Sequence, residues 1–474
     1  MLFNSLTFLC FLALVLPLYY MLDRKWQNRM LLVASYVFYG WWNWRFLFLL
    51  WLSTVVDFFV ARRMGATQDE RSRKRLMWLS VSANLCYLGF FKYFDFFSAS
   101  LKHGLAFFGF RADFFTLHVL LPIGISFYTF QSISYIVDVY RNQREHTDDF
   151  VAFALYLAYF PHLVAGPIQR STQLLPQLVV ERRVRADQIR SGAVLMLVGF
   201  FKKVAIADAV GPTVDIIFQQ PAHQSSAALA IGLYLFALQI YADFSGYTDI
   251  ARGVSRLMGI ELCLNFRQPY FSTNITEFWR RWHISLSEWL RDYLYISLGG
   301  NRRGKLRTYC NLFITMLLGG LWHGAAWTFV AWGGLHGVFL AIHKRILSGR
   351  KAGDGRQLFI NGQRLRFAVS AVATFQLVCL AWIFFRAKSF ADAWAYLTGL
   401  LAFRGGLPPS YLVLALFYVA LVLLIDWPAW LRGDEQPISG RWPVFGRGLA
   451  YGSMLATILW IGSPHGAPFI YFQF

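Results

Sequence analysis

Apolar residues run along this chain in long stretches separated by short polar loops. The stretches include residues 1–21, 31–61, 150–168, 227–243 and 411–425. A helix needs roughly 20 consecutive, mostly apolar residues to cross hydrocarbon. The pattern therefore predicts an all-α polytopic integral membrane protein with about ten to twelve spans. The longest polar segments, 170–190 and 348–366, are only loop-sized, so residues 1–474 are expected to form a single transmembrane domain with no separate soluble domain. No internal repeat is visible.

Helix-breaking residues fall inside two of the apolar stretches, at Pro122-Ile123-Gly124 and between Pro161 and Pro167. Each is either a kinked helix or a broken one that lines a substrate path, because freed backbone groups at membrane depth survive only against protein or a wet cavity. Near the start, Asp23-Arg24-Lys25 and the basic stretch 62–75 bracket apolar sequence that is interrupted at Trp41-Trp42-Asn43-Trp44. This predicts a helical hairpin with its indoles at an interface. The positive-inside rule puts both basic ends in the cytoplasm, and the N-terminus and the tryptophan turn on the far side. The basic segments 182–185, 302–307 and 344–366 are further cytoplasmic candidates.

Composition agrees with a lipid environment. Hydrophobic residues make up 57% and charged residues 15%, against roughly 25% charged in a soluble domain. Mean hydropathy is +0.43. Forty-five basic against 25 acidic residues give a net charge of +20. The cations gather between apolar runs, as at Arg62, Arg63, Arg71, Arg73, Lys74 and Arg75, where membrane orientation and anionic lipid headgroups account for them. With no nucleic-acid-binding motif beside them, they do not indicate DNA or RNA. The N-terminal stretch has neither a basic leader nor a convincing cleavage site, and is expected to be a retained first span. The five cysteines include no CxxC pair, so neither a disulfide framework nor a zinc site is implied. His103, His118, His146, His162, His223, His343 and His465 lack metal-ligand spacing, and no metal is expected. The absence of a Gly-x-Ser-x-Gly elbow, a Walker loop and a dinucleotide fingerprint argues against a serine hydrolase, an ATP-driven pump and a dehydrogenase.

Three segments could carry chemistry. Residues 277–294 contain no Gly or Pro and follow a candidate cap at Thr273 or Asn274. As one continuous helix they would place Glu277, Arg280, His283, Ser287 and Arg291 on one face, opposite Trp279, Trp282, Leu286, Trp289, Leu290 and Tyr293. Such a helix lies at an interface or faces a hydrated cavity inside the protein. The second segment, Gly319-Gly-Leu-Trp-His-Gly-Ala-Ala-Trp327, sits in an apolar stretch, 309–343, that is too long for one perpendicular span and is expected to bend or break. Gly320 and Gly324, then Gly333 and Gly337, are small-xxx-small pairs that admit another helix closely. His323 is either a packing histidine or a neutral imidazole that accepts a proton from an alcohol, as acyl transfer requires. His336, 13 positions on, would not share its face and is expected to be structural. In the third segment, 241–252, Asp249 can pair with Arg252 one turn away, which leaves Asp243 as the unusual carboxylate, in either a local structural network or a group that orients a polar substrate or His283.

At these positions the sequence resembles the membrane-bound O-acyltransferase family, and within it the bacterial branch that acylates envelope polymers. The resemblance rests on 241–252, Phe278-Trp-Arg-Arg-Trp-His-Ile-Ser-Leu286, Leu321-Trp-His-Gly-Ala-Ala-Trp327, Trp382-Ile-Phe-Phe-Arg-Ala387 and the terminal Phe469-Ile-Tyr-Phe-Gln-Phe474. It implies an all-α disc of spanning, re-entrant and interfacial helices around a central funnel, with the family's invariant histidine at His323 and its Asn-or-His position at His283. On this reading Asp243, Tyr247, Arg280, Ser287 and Trp322 are expected to bind substrate, and Arg302, Arg303 and Lys305 either meet the phosphates of the donor at its entrance or serve topology alone. That donor is expected to be a cytoplasmic thioester, acetyl-coenzyme A, with no permanently bound cofactor. The acceptor is expected to be an exported polysaccharide such as alginate, or a periplasmic acetyltransferase partner, reached across a bacterial inner membrane. Transfer of D-alanyl or another acyl group remains an alternative, as does a polysaccharide-precursor transporter. A transporter would predict repeated halves, which the sequence does not show.

Overall fold

The computed structural model describes residues 1–110, 117, 120–346, 354–438, 440, 442–462 and 469–470. Their regular structure is entirely helical, which satisfies backbone polar groups where water is excluded. Among the described residues, five helical segments are long and apolar enough to cross a membrane: Arg24–Gly65, Ser226–Leu257, Arg364–Arg386, Pro409–Arg432 and Val444–Ile461. Other apolar stretches are divided. Glu70–Leu88 passes through a π-turn, Gly89–Tyr93, into Phe94–Phe107, and Ala186–Phe200 passes through Phe201–Ala207 into Asp208–Gln219.

The chain forms two compact units, Met1–Gly192 with Val254–Cys263, and Ala193–Gly253 with Leu264–Phe474. In the first, Asp23 caps the helix Arg24–Asn43 by accepting from Trp26 N–H at 3.0 Å. That helix stops where the sequence predicts. Asn43 turns extended, caps a single 3-10 turn over Trp44–Phe46, and Leu47–Gly65 follows. The N-terminal nitrogen donates to the Phe38 carbonyl at 3.0 Å. The start of the chain and the tryptophan cluster thus lie at one end of Arg24–Asn43, and Asp23-Arg24-Lys25 at the other. Reporters fused within 62–75 or 344–366 are therefore expected on the cytoplasmic side and one at the N-terminus on the opposite side; the inverted pattern would refute this orientation.

The two Pro/Gly interruptions are breaks, not kinks. Gly124 adopts φ +79°, and a Cβ there would come within 2.6 Å of the Leu163 carbonyl oxygen, so only glycine lets the two breaks pack together. After Phe150–Ala158 the chain turns at Tyr159 into the short helix Phe160–Leu163. The Phe160 N–H freed by the break donates to Ser35 Oγ at 3.0 Å. These breaks are sealed by protein. Nearby, Asp57 is fully buried and accepts from Ser80 Oγ at 2.5 Å and Asn84 Nδ2 at 3.1 Å, tying together the helices Leu47–Gly65 and Glu70–Leu88.

In the second unit the apolar stretch after 304 breaks as expected, into Gly304–His323 and Trp327–Ile346, which pack as a hairpin. A Cβ on Gly320 would lie 2.2 Å from the Phe329 carbonyl oxygen, and one on Gly333 would lie 2.3 Å from that of Met316. The partner that the glycine pairs admit is the other arm of the same hairpin. Arg364–Arg386 and the short helix Ile275–Arg281 pack against Trp327–Ile346, completing the frame around the two histidines.

Candidate active site

Asn274 is the cap of Ile275–Arg281, its Oδ1 accepting from Glu277 N–H at 2.8 Å. Glu277 turns back and accepts from Thr273 N–H at 2.9 Å and Thr273 Oγ1 at 2.8 Å, while pairing with Arg281 at 3.0 Å. The single amphipathic helix expected over 277–294 does not form. The chain is extended at Trp282, left-handed at His283 (φ 42°, ψ 53°), and helical again over Ile284–Trp289. Two interactions outweigh local helix propensity. Trp282 is fully buried among Phe266, Phe278 and Trp382, and the Ile284 N–H donates to the Asn265 carbonyl at 2.9 Å. The predicted common face is therefore dispersed. Arg280 and Arg291 are exposed, Ser287 donates to the Trp282 carbonyl at 3.3 Å, Glu277 is buried in its own cap, and His283 is fully buried.

Asn265 sets the tautomer of His283. Its Oδ1 accepts from the Ser285 backbone N–H at 3.2 Å and from Ser285 Oγ at 2.9 Å, so it is the amide oxygen that faces His283 Nδ1 at 3.2 Å. Nδ1 must then carry the proton and donate it. The Nε2 lone pair is left buried, with no hydrogen-bond partner among the described residues.

His323 ends the helix Gly304–His323, because Gly324 is extended. A Cβ at Gly324 would strike the Phe329 ring at 2.2 Å, so this exit from the helix is closed to larger residues. The imidazole of His323 is buried among Trp322, Trp332 and Phe385, at centroid separations of 5.0, 5.0 and 5.4 Å. His283 and His323 lie 6.2 Å apart, centroid to centroid, and Trp322 flanks both. The two imidazoles are thus neighbours in one buried aromatic cage. His336 sits one ring further along, accepting from Trp279 Nε1 at 3.3 Å and stacking on Phe278.

The helix Ser226–Leu257 brings Asp243 and Tyr247 to the same unit. Asp243 is not an isolated carboxylate: it pairs with Lys203 at 2.7 Å, and Lys203 also meets Asp208 at 2.8 Å. Asp249 pairs chiefly with Lys202, at 2.9 Å, and lies 4.0 Å from Arg252, which instead meets Glu435 at 2.5 Å. Tyr247 is buried against Phe469. Arg302, Arg303 and Lys305 are exposed at the start of Gly304–His323, and Lys305 is about 27 Å from His323 at 1.5 Å per residue. Sequence reasoning missed Asn265 and Lys203. The adjacent lysines Lys202 and Lys203 inside an apolar stretch were the available signal; Asn265 gave none.

The sequence profile of the membrane-bound O-acyltransferase family matches residues 141–354, which hold Asp243, Asn265, His283 and His323. A probable alginate O-acetylase of Pseudomonas aeruginosa is 44% identical, covering 88% of this chain and 81% of its own length. One from Pseudomonas putida is 40% identical over the whole of both chains. A peptidoglycan O-acetyltransferase of Helicobacter pylori is 36% identical over 85% of this chain and 80% of its own. Both buried histidines fall within the matched region and the likeness extends over most of each relative, so this chain belongs to the membrane-bound O-acyltransferase family and is a multi-pass O-acyltransferase.

Proposed function

We infer that this enzyme moves an acetyl group from acetyl-coenzyme A, supplied at the cytoplasmic face of a bacterial inner membrane, to a hydroxyl bound for an exported polysaccharide such as alginate. The acceptor hydroxyl belongs to the polymer or to a periplasmic transferase that completes delivery. The observation that carries this reading is the pair of neighbouring buried imidazoles, 6.2 Å apart, one of them with its tautomer fixed by Asn265. The relatives named as O-acetylases of alginate and peptidoglycan favour acetyl as the group moved.

In the reaction, the acceptor oxygen attacks the thioester carbonyl, a C–O bond forms and the C–S bond breaks. His323 takes the hydroxyl proton and returns it to the departing thiolate. His283 orients the group bound between the rings. Such transfer crosses the bilayer chemically and needs no ATP. Arg302, Arg303 and Lys305 offer cations to the phosphates of the donor, which would lie along Gly304–His323 with its thioester toward the histidines. Neutralising all three is expected to raise the KM for acetyl-coenzyme A several-fold with little change in acceptor affinity; an unchanged donor KM would remove them from the site. Sidedness tests the whole scheme. In sealed vesicles, donor supplied only at the cytoplasmic face should yield acetylated acceptor, and product from donor supplied only at the opposite face would overturn it.

The left-handed backbone at His283 yields a second expectation. Asn and His tolerate this conformation better than most residues, which accounts physically for a family position shared by the two. His283→Asn is expected to keep the fold and part of the activity. His283→Gly keeps the backbone but loses the side chain, and should fall about 100-fold in turnover. Equal turnover in the two variants and the wild type would show that His283 takes no part.

A further inference from the structure

We propose that Asp243 is a positioning residue, whose carboxylate pins the main chain at Ile470 and thereby holds the wall against which His283 rests. This rests on the acyl-transfer function proposed above and adds to it the way one side of the site is fixed.

Three observations carry the inference. Lys203 Nζ lies 2.8 Å from Asp208 and 2.7 Å from Asp243 Oδ1, so one cation is shared by two carboxylates. Burying charge is costly, and a single carboxylate would have neutralised Lys203. Asp243 makes a second contact besides that ion pair. Its other oxygen, Oδ2, accepts from the Ile470 backbone N–H at 2.7 Å, joining residues 227 positions apart in the sequence. That is a short, charge-assisted bond, about twice as strong as a neutral one. Lys203 fixes the carboxylate and the carboxylate fixes the strand of chain.

The consequence reaches the imidazole through rings. With Ile470 held, Phe469 is fully packed against Tyr247 at 4.8 Å and Phe244 at 5.5 Å. Phe244, one residue beyond Asp243, stands edge-on to His283 at 4.7 Å. Asn265 holds His283 from its Nδ1 side, and Phe244, backed by Phe469, limits its movement on another. Release of Ile470 would free Phe469 and then Phe244, and a shift of about 1 Å at a reacting group costs up to 100-fold in rate.

The test uses the whole chain with labelled acetyl-coenzyme A and, as acceptors, an alginate oligosaccharide and a periplasmic acetyltransferase. Ile470→Pro removes the donated N–H, Ile470→Ala keeps it, and Phe469→Ala removes the ring while leaving the N–H in place. Ile470→Pro and Phe469→Ala are each expected to lose at least about tenfold in kcat, with the donor KM within about twofold of wild type. Ile470→Ala should stay near wild type. In parallel, 15N-histidine spectra should show the His283 signals displaced in the first two variants and unmoved in the third, a readout that needs no substrate. Wild-type kcat together with unmoved His283 signals in Phe469→Ala would overturn the proposal, as would equal kcat for Ile470→Pro and Ile470→Ala. If the wild-type protein transfers no acetyl group at all, the function proposed above fails, and the His283 signals alone then decide the role of Asp243.

Discussion

His323→Ala is expected to lower acyl transfer by about 100-fold or more while the protein still inserts and folds. The imidazole stands 5.0 Å from Trp332 and 6.2 Å from His283, centroid to centroid, and its removal takes away the proton acceptor without placing a new charge in the bilayer. The surrounding rings belong to three separate helical segments, Gly304–His323, Trp327–Ile346 and Arg364–Arg386, so their packing does not depend on one small ring. Turnover in detergent, beside membrane abundance and thermal unfolding, separates the outcomes. Loss of protein with normal specific activity would make His323 a packing residue.

Gly333→Ala should have the next largest effect, and by another route. The new methyl would sit 2.3 Å from the Met316 carbonyl oxygen, a main-chain atom that cannot swing aside. Overpacking of this kind costs about 1–3 kcal/mol and pushes apart the two arms that carry His323 and Trp332. The neighbouring Gly334 is the control, because a Cβ there meets nothing closer than the Phe313 ring at 3.7 Å. Gly334→Ala is expected to be neutral or slightly stabilising, since alanine favours the helix by about 1 kcal/mol over glycine. Thermal unfolding of both variants checks the contrast. Equal midpoints would mean that the arms are free to separate.

The same positions show what the sequence made legible. Long apolar runs announced a helical membrane protein, and the breaks at Gly124, at 160–163 and at Gly324 fall where Pro and Gly interrupt those runs. The hairpin glycines were visible because close approach demands them at a four-residue interval. The break at His283 was not. Nothing local stops a helix over 277–294; the interruption is imposed by burial of Trp282 and by Asn265, whose partners lie 18 to 20 residues away. Asp243 likewise looked solitary, because its cation, Lys203, and its main-chain donor, Ile470, are both remote in sequence. Periodicity reports one helix at a time. The site draws on Ser226–Leu257, Asn265, the break at His283, Gly304–His323, Trp327–Ile346 and Arg364–Arg386, and their meeting is a tertiary fact.

One measurement bears on all of this together: purified protein is given acetyl-coenzyme A labelled in the acetyl group, with an alginate oligosaccharide and, in parallel, a periplasmic acetyltransferase as acceptor, and the label is followed in the wild type and in His323→Ala. The expected result is acetyl ester on the acceptor and free coenzyme A in equal amounts, both lost when His323 is replaced. Label that stays on the coenzyme, or an acetylated acceptor formed equally by both proteins, would contradict acyl transfer at His323.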